Sequence, residues 1–578
     1  MAPRRLVQAM ALVLSPLAAS IAQQGGESVR APSGRPTVVC AGQRVDDIII
    51  YSVAPSVASL TRVPALAAVA QALHQTTRPE VIRRFLLIET GQPCSELRRS
   101  ESERILRAQP FIADADVFVV ANDTTGVDIE VRTSDETSVV IGGTVRARAP
   151  IVTSLLLGNA NLGGEGVYAS TWWKDGEGFR DGFGARLLDH QFLGRPWTMG
   201  LDAERAVLGA SWRLEGAHPF FTDLQRVAWR VRLDDGTGYS PLLDPSGERL
   251  GVFRRRGSFD VGAVMRFGNP GQLNLFGLSL TGLAEQPGDR LVLADSGVLR
   301  DVGAVPTVYP SHKTVRLNVL IGRRDITFVR MDGLDALTAS QDLPVGFQLG
   351  MQVGRSIPLP GAREDDIFAA SDFYVGATTG RSTVRLQLQG EARRGTIEQK
   401  WDGVLASGRL THYLRIDDRQ QNQTTLEFAS GSRQRTPFQL LLGVPEGGVR
   451  GYERSTYAGG LRVVGRTEER YTIPNAFGVA DAGVAAFADL GKEAAGDVPF
   501  GVTSPVVASL GVSLMAAVPP RSARLWRADL AFPVTRGANA RWTLRFTNGD
   551  RTAFVFRAPR DVESARETTV PTSIFAWP

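Results

Sequence analysis

Cysteine is nearly absent from this chain of 578 residues, with two in all, Cys40 and Cys94. That excludes a disulfide-dense scaffold and a multi-cysteine zinc site. Histidine is as scarce. His74, His190, His218, His312 and His412 stand in no H-x-x-x-H or H-E-x-x-H spacing. The chain has no G-x-S-x-G elbow and no Walker-type phosphate loop. Acidic pairs such as Asp365-Asp366 and Asp417-Asp418 fall in turn-like stretches. The expectation is a protein that is not an enzyme and takes no metal or cofactor. Lysine is confined to Lys174, Lys313, Lys400 and Lys492, so arginine carries the formal charge of +5. So small an excess gives no footprint for nucleic acid. Long hydrophobic runs are missing too. After residue 22 nothing approaches the ~18 apolar residues of a membrane-crossing helix.

The first segment reads as an address. Arg4 and Arg5 precede a mostly apolar Leu6 to Leu17, and Ser20-Ile21-Ala22 offers small residues for cleavage. Residues 1–22 therefore read as a secretory signal peptide, followed by a polar linker over 23–36. Export makes a Cys40–Cys94 disulfide possible.

Residues 37–136 read as a small α+β domain. Asp46 to Ser52 is a strand. Pro79 to Glu89 is a helix with Val81, Ile82, Phe85 and Leu86 on one face, and Gly91 stops it. A second helix runs from Ser95 to about Ala108. Phe111 to Val120 and Val127 to Thr133 follow as strands across a polar turn. An Ala-rich insertion, Ser56 to Gln75, follows the first strand. The order is β-α-α-β-β. With Gly91, the Glu103-Arg104-Ile105-Leu106-Arg107 helix and Phe111, it resembles a POTRA domain, the periplasmic module of outer-membrane assembly proteins. In that family the module binds polypeptide, often by strand addition.

From about Thr137 the pattern changes to short segments of period two. Val227, Trp229, Val231 and Leu233 alternate with Arg226, Ala228, Arg230 and Arg232. Val315, Leu317 and Val319 alternate with Thr314, Arg316 and Asn318, and Trp542, Leu544 and Phe546 with Arg541, Thr543 and Arg545. One strand face is apolar and the other rich in arginine. Arginine is costly in a dry core, whereas a transmembrane barrel turns its apolar face to lipid and its polar face to a wet lumen. The reading is an antiparallel transmembrane β-barrel over residues 137–554.

Five segments carry a resemblance. Val449-Arg450-Gly451-Tyr452 matches a [V/I]-R-G-[F/Y] signature. Gly465 to Arg470 matches G-x-x-E-x-R through Glu468 and Arg470, and Phe487 to Gly491 matches F-x-D-x-G through Phe487, Asp489 and Gly491. Asn161 to Gly166 resembles N-L-x-G-x-G, and Asp529 to Pro533 resembles D-x-A-x-P. In this order, behind a POTRA-like domain, they resemble the BamA-like superfamily of bacterial surface antigens, outer-membrane insertases and translocases. The resemblance implies about 16 strands. It also implies that Val449 to Tyr452 lie on a loop folded into the lumen after the eleventh strand.

Glu468 and Arg470 share a strand face. Asp489 is a lone carboxylate in an apolar run and needs a partner. We expect Arg450 to pair with Asp489 and Glu468, Gly451 to allow a close turn, and Tyr452 to pack on the wall. Barrels of this kind usually end in an aromatic residue, here Phe554. Residues 555–578 then read as an extension beyond the barrel, although Asn548-Gly549 could also turn the chain into a further strand.

The expected function is assembly of β-barrel proteins into the bacterial outer membrane, or translocation of polypeptide across it, without nucleotide. The expected partners are outer-membrane lipid, unfolded or secreted polypeptides and periplasmic accessory proteins. The alternatives are a passive porin or ligand transporter and a structural or adhesive barrel.

Overall fold

The computed structural model describes residues 31–54, 75–122, 126–145, 152–295, 297–362, 364–397, 399–444, 447–453, 455–476, 478–535, 541–550 and 558–567. The expected signal peptide, most of the Ser56 to Gln75 insertion, Phe554 and the last residues of the chain lie outside these.

The N-terminal domain contains β1 (Ala41–Val53), α1 (Pro79–Arg83), β2 (Pro93–Ser95), α2 (Glu96–Arg107), β3 (Ile112–Ala121) and β4 (Val127–Asp135). The sheet order is β2-β1-β4-β3. β1 runs parallel to β4, and the other pairs are antiparallel. Val45, Ile48, Ile82, Leu106, Phe111 and Val131 meet in one core between helices and sheet. A disulfide joins Cys40 to Cys94, their Cα atoms 5.3 Å apart, and ties the start of β1 to β2.

Two boundaries differ from expectation. α1 ends at Arg83 rather than Glu89. The Phe85 and Leu86 amides donate to the Ile82 and Arg83 carbonyls, three residues back, so the chain tightens into turns. The Leu87 amide then donates to Ser102 Oγ on α2 at 2.8 Å. Phe85 and Leu86 reach the core from this turn, which leaves the apolar spacing of a helix without its length. The end of the linker also belongs to the domain. Arg35 pairs with Asp128 at 2.6 Å and Glu130 at 2.8 Å, and Thr37 bridges to Val120 at the β3 edge.

Residues 139–550 form a closed antiparallel barrel in which neighbours in sequence are neighbours in the wall. Among the described residues twenty strands complete it. A short further strand, Val298–Ala304, pairs only with the far half of Gln272–Asp295, whose near half pairs with His312–Asp332. This corrects the expected 16. Five strands follow the loop that carries Val449 to Tyr452, so the additional ones lie before it. Between Val139 and His218 the chain packs six strands of 7 to 11 residues with short connections. Strands this short with short connections fit more of them into the same length of chain than the resemblance implies.

The wall inverts the burial of a soluble protein. Along His312–Asp332, Leu317 is 50% exposed, while Arg316 is 2% and Asn318 0% exposed on the inner face. On Thr543–Asp550, Leu544 and Phe546 point outward. The period-two pattern thus places a continuous apolar surface outside and an arginine-rich one inside. No helix among the described residues is long and apolar enough to cross a membrane.

The N-terminal domain seats on the turns at one end of the barrel, here the capped end. Asn161 Nδ2 donates to Thr77 Oγ1 at 2.8 Å, and the Arg78 amide donates to the Gly164 carbonyl at 3.0 Å. Arg104 donates to the Phe221 carbonyl at 2.6 Å, and Phe85 packs edge-on against Phe221. Arg107 forks onto Asp342 at 2.7 and 3.0 Å. Arg330 reaches both Glu103 and Asp116 at 3.2 Å. A separate clasp spans the barrel seam. Glu136, just before the first strand, accepts from Ser522 Oγ at 2.7 Å and from the Ala523 amide at 2.8 Å. Arg524 returns a hydrogen bond to the Thr137 carbonyl.

At the C-terminus the alternative of a hairpin turn at Asn548-Gly549 does not hold. Asn548 and Gly549 pair with Trp526 and Leu525 inside the last strand, so they form no hairpin turn. The extension does not stay beyond the barrel. Ala558–Glu567, including α3 (Arg560–Ala565), lies in the lumen, where Asp561 pairs with Arg462 and Glu567 with Arg316. Carboxylates on the tail meet arginines on the wall, which an account of the tail by itself could not anticipate.

Candidate functional site: the loop clamped inside the barrel

The chain between Gln420–Ser432 and Leu461–Ala476 turns inward at the far end and carries Val449 to Tyr452. Arg450 donates from Nε and Nη2 to the two Asp489 oxygens at 2.7 and 2.6 Å, and its own amide adds a third bond at 3.2 Å. Asp489 is wholly buried. The guanidinium lies flat over Phe487, 3.3 Å from the ring centroid. A charge held this way has both a bidentate anion and an aromatic face.

Glu468 is 3.6 Å from Arg450, further than Asp489. Its main partners are Arg470 at 2.6 Å and Arg527 at 2.5 and 2.8 Å. Arg527 also donates to Asp529 at 2.6 Å, which accepts from Ser513 at 2.5 Å. Arg545 joins through Asp529 at 3.4 Å, so four arginines and three carboxylates from the loop and four strands form one cluster. The sequence points to Arg450, Glu468, Arg470 and Asp489 here; Asp529 stands out only as part of D-x-A-x-P, and Arg527, Ser513 and Arg545 are not singled out by it. A signal was present. Arg527 and Asp529 are two apart, as Glu468 and Arg470 are, and so share the inner face.

Glycines permit the close approach. Gly451 has φ +88°, and a Cβ there would also press on Pro533 at 3.0 Å. At Gly491 a Cβ would come 2.3 Å from Val449 Cγ2. Val449 packs with Leu442, Val464 and Val507. The Tyr452 hydroxyl lies 3.0 Å from both the Ala508 and Thr535 carbonyls. Gly491→Ala should displace the loop and cost about 1–3 kcal/mol. A lower urea midpoint for loss of the compact, heat-modifiable form checks this, and an unchanged midpoint would show that Val449 can move aside freely.

Asn161 to Gly166, noted from sequence as a barrel turn, is where the domain seats. Beside it Asp135 is fully buried and accepts from the Thr77 amide and hydroxyl at 2.7 and 2.8 Å. Burial raises this carboxyl from 3.8 to about 6, against the pull of the Thr77 hydrogen bonds. The fold favours the protonated form. Its contribution is complete below about 3.8 and is lost as pH rises through about 6. Hydrogen exchange around Thr77, corrected for intrinsic rate, should therefore show less protection at pH 8 than at pH 5. Asp135→Asn should flatten that dependence.

Among the described residues no group of His, Cys, Asp and Glu stands ready to hold a metal. No family model matches the chain, and no curated protein matches it in sequence. Solved structures do. BamA from Haemophilus ducreyi, crystallised without POTRA domains 1–3, is 13% identical over 88% of this chain and 85% of that one, with a TM-score of 0.37. CdiB from Acinetobacter baumannii is 10% identical over 88% of this chain and 74% of its own, with a TM-score of 0.38. CdiB from Escherichia coli is 12% identical over 94% of both chains, with a TM-score of 0.36.

Proposed function

We propose that this chain is an outer-membrane barrel that handles polypeptide, by inserting other barrel proteins or by passing a client across the membrane. The observation that carries the reading is the inward loop held by Arg450 on Asp489. It holds a ready-made element inside a wall whose outer surface is apolar. A closed barrel satisfies its backbone within itself, as a lipid environment requires. We read the N-terminal domain as a POTRA-like periplasmic module, supported by the parallel β1–β4 pair flanked by β3 and covered by α1 and α2. The capped end then faces the periplasm. No nucleotide enters the scheme, and the folding free energy of the client drives its insertion or passage. A passive porin fits less well, because the loop and the C-terminal tail both occupy the lumen.

Depletion of the protein followed by outer-membrane proteomics tests the reading, with rescue by the parent chain or by Arg450→Ala. A joint fall of many barrel proteins, unrescued by the variant, supports general assembly. Loss of one secreted protein supports dedicated export. An unchanged proteome overturns the polypeptide-handling reading.

A further inference from the structure

The last strand ends with Asp550 paired to Arg524, at the capped end. Ala558–Glu567 nevertheless lies in the far half of the lumen, beside the inward loop. Among the described residues this tail joins no strand of the wall, so it can leave without opening the barrel. Its apolar side is small: Ala558, Val562 and Ala565 are buried against Leu405, Phe438 and Leu440.

Its polar side is gripped by arginines. Arg254 donates twice to the Ser564 carbonyl at 3.0 Å. Arg256 donates to the carbonyls of Ser564 at 3.2 Å, Arg566 at 2.5 Å and Glu567 at 3.3 Å. Arg462 holds the Asp561 carboxylate at 2.5 Å, and Arg316 holds Glu567 at 2.8 Å with Arg435 at 3.8 Å. The Glu567 amide donates to Glu391 at 2.9 Å.

Two features point to a peptide site rather than a fixed structural strut. Arg256 spends its donors on main-chain carbonyls, which any peptide carries, and Arg254 divides its own between the Ser564 carbonyl and Glu285. Among the tail's side chains, Asp561 and Glu567, six positions apart, meet arginines, and Arg566 donates to Gln389 at 2.9 Å and Ser407 at 3.1 Å. A cavity of about 230 Å³ also runs on from the tail, lined by Arg213, Arg232, Arg254, Arg256 and Arg316. The groove is thus larger than its occupant.

We propose that this arginine-lined groove is a binding site for a carboxylate-bearing peptide, and that the C-terminal tail is its built-in, exchangeable occupant. The tail acts as an intramolecular competitor at high effective concentration. An incoming segment with two spaced carboxylates displaces it. The proposal stands on the contacts of the tail and holds whether the barrel passes polypeptide or smaller solutes.

The test uses the full chain, purified in detergent, and a fluorescent peptide of the sequence Ala558–Glu567. In the parent the tail competes. In a chain carrying Asp561→Arg and Glu567→Arg the tail is repelled, and the peptide should bind at least about tenfold more tightly. Adding Arg256→Ala and Arg462→Ala to that chain should remove the gain. A peptide with lysine in place of both carboxylates should bind neither. Should charge reversal prevent folding, Asp561→Asn with Glu567→Gln serves the same comparison, with heat-modifiable migration as the check on the barrel. Equal binding of the peptide to parent and variant, or binding to neither, overturns the proposal.

Discussion

Arg450→Ala should lower the stability of the barrel by about 3–5 kcal/mol, the usual cost of removing one member of a buried ion pair. Arg450 and Asp489 are 7% and 0% exposed at their side chains, so water cannot take over the missing donors. Both side-chain hydrogen bonds to Asp489 disappear together, leaving only that of the backbone amide, and the cation over Phe487 goes with them. Glu468 and Asp529 lose a neighbouring positive charge as well. Asp489→Ala placed in the same background should restore a large part of the loss, because the orphaned charge goes with it. Arg450→Lys should recover less, since an ammonium cannot fork onto both oxygens. Urea titration of the heat-modifiable form checks all three. A double variant no better than Arg450→Ala would mean that loop packing, and not the charge pair, holds the site.

Arg107→Glu should release the N-terminal domain from the barrel. Arg107 is 6% exposed and lies between Glu103 at 2.5 Å and Asp342 at 2.7 Å. Reversal places three carboxylates together at a dry interface. Breaking a pair of this kind costs roughly 3 kcal/mol, which is about a hundredfold in the docking equilibrium. Arg107→Gln, which removes the charge without opposing it, should fall between. Hydrogen exchange of the Arg78 amide, which donates to the Gly164 carbonyl across the interface, reads the release. Heat-modifiable migration should stay unchanged, since the strands of the wall are untouched. Unaltered protection of that amide would show that the apolar contacts of Phe85 and Phe221 suffice alone.

Period-two alternation was the legible part of this fold. It assigned the inner and outer faces of strands as far apart as His312–Asp332 and Thr543–Asp550, because parity depends only on adjacent residues. Strand number was not legible in the same way. The six short strands ending at His218 are interrupted by glycine and serine, and five of them run only 7 to 9 residues, so alternation has little length in which to stand out. The Phe85–Leu86 turn read as helix because a tight turn and a helix give similar apolar spacing over two turns. At the loop, the resemblance placed Arg450 in the lumen, and chemistry then paired it with Asp489, since a buried carboxylate needs a donor. Arg527 escaped because its partner, Glu468, lies 59 positions away and only the barrel curvature brings them together. The tail escaped for the same reason.

The clasp at Glu136 has a consequence for how the barrel forms. Every wall pairing except the seam joins neighbours in sequence and can form as a local hairpin. The seam instead joins the two ends of the wall, Val139–Val145 and Thr543–Asp550, and the clasp that reaches across it links Glu136 to Ser522, 386 positions apart, just before the penultimate strand. The entropy of closing so long a loop grows only logarithmically, by about 0.6 kcal/mol per doubling, but it must be met in a single step. One carboxylate that captures a hydroxyl and an amide at the capped end gives that step a small, local target. Once it is caught, the first and last strands are no longer distant partners. They are the two sides of a short fork, and the remaining seam can close like a zipper from the clasped end toward the far one. A chain lacking the Glu136 carboxylate would reach the same closed wall, but more slowly.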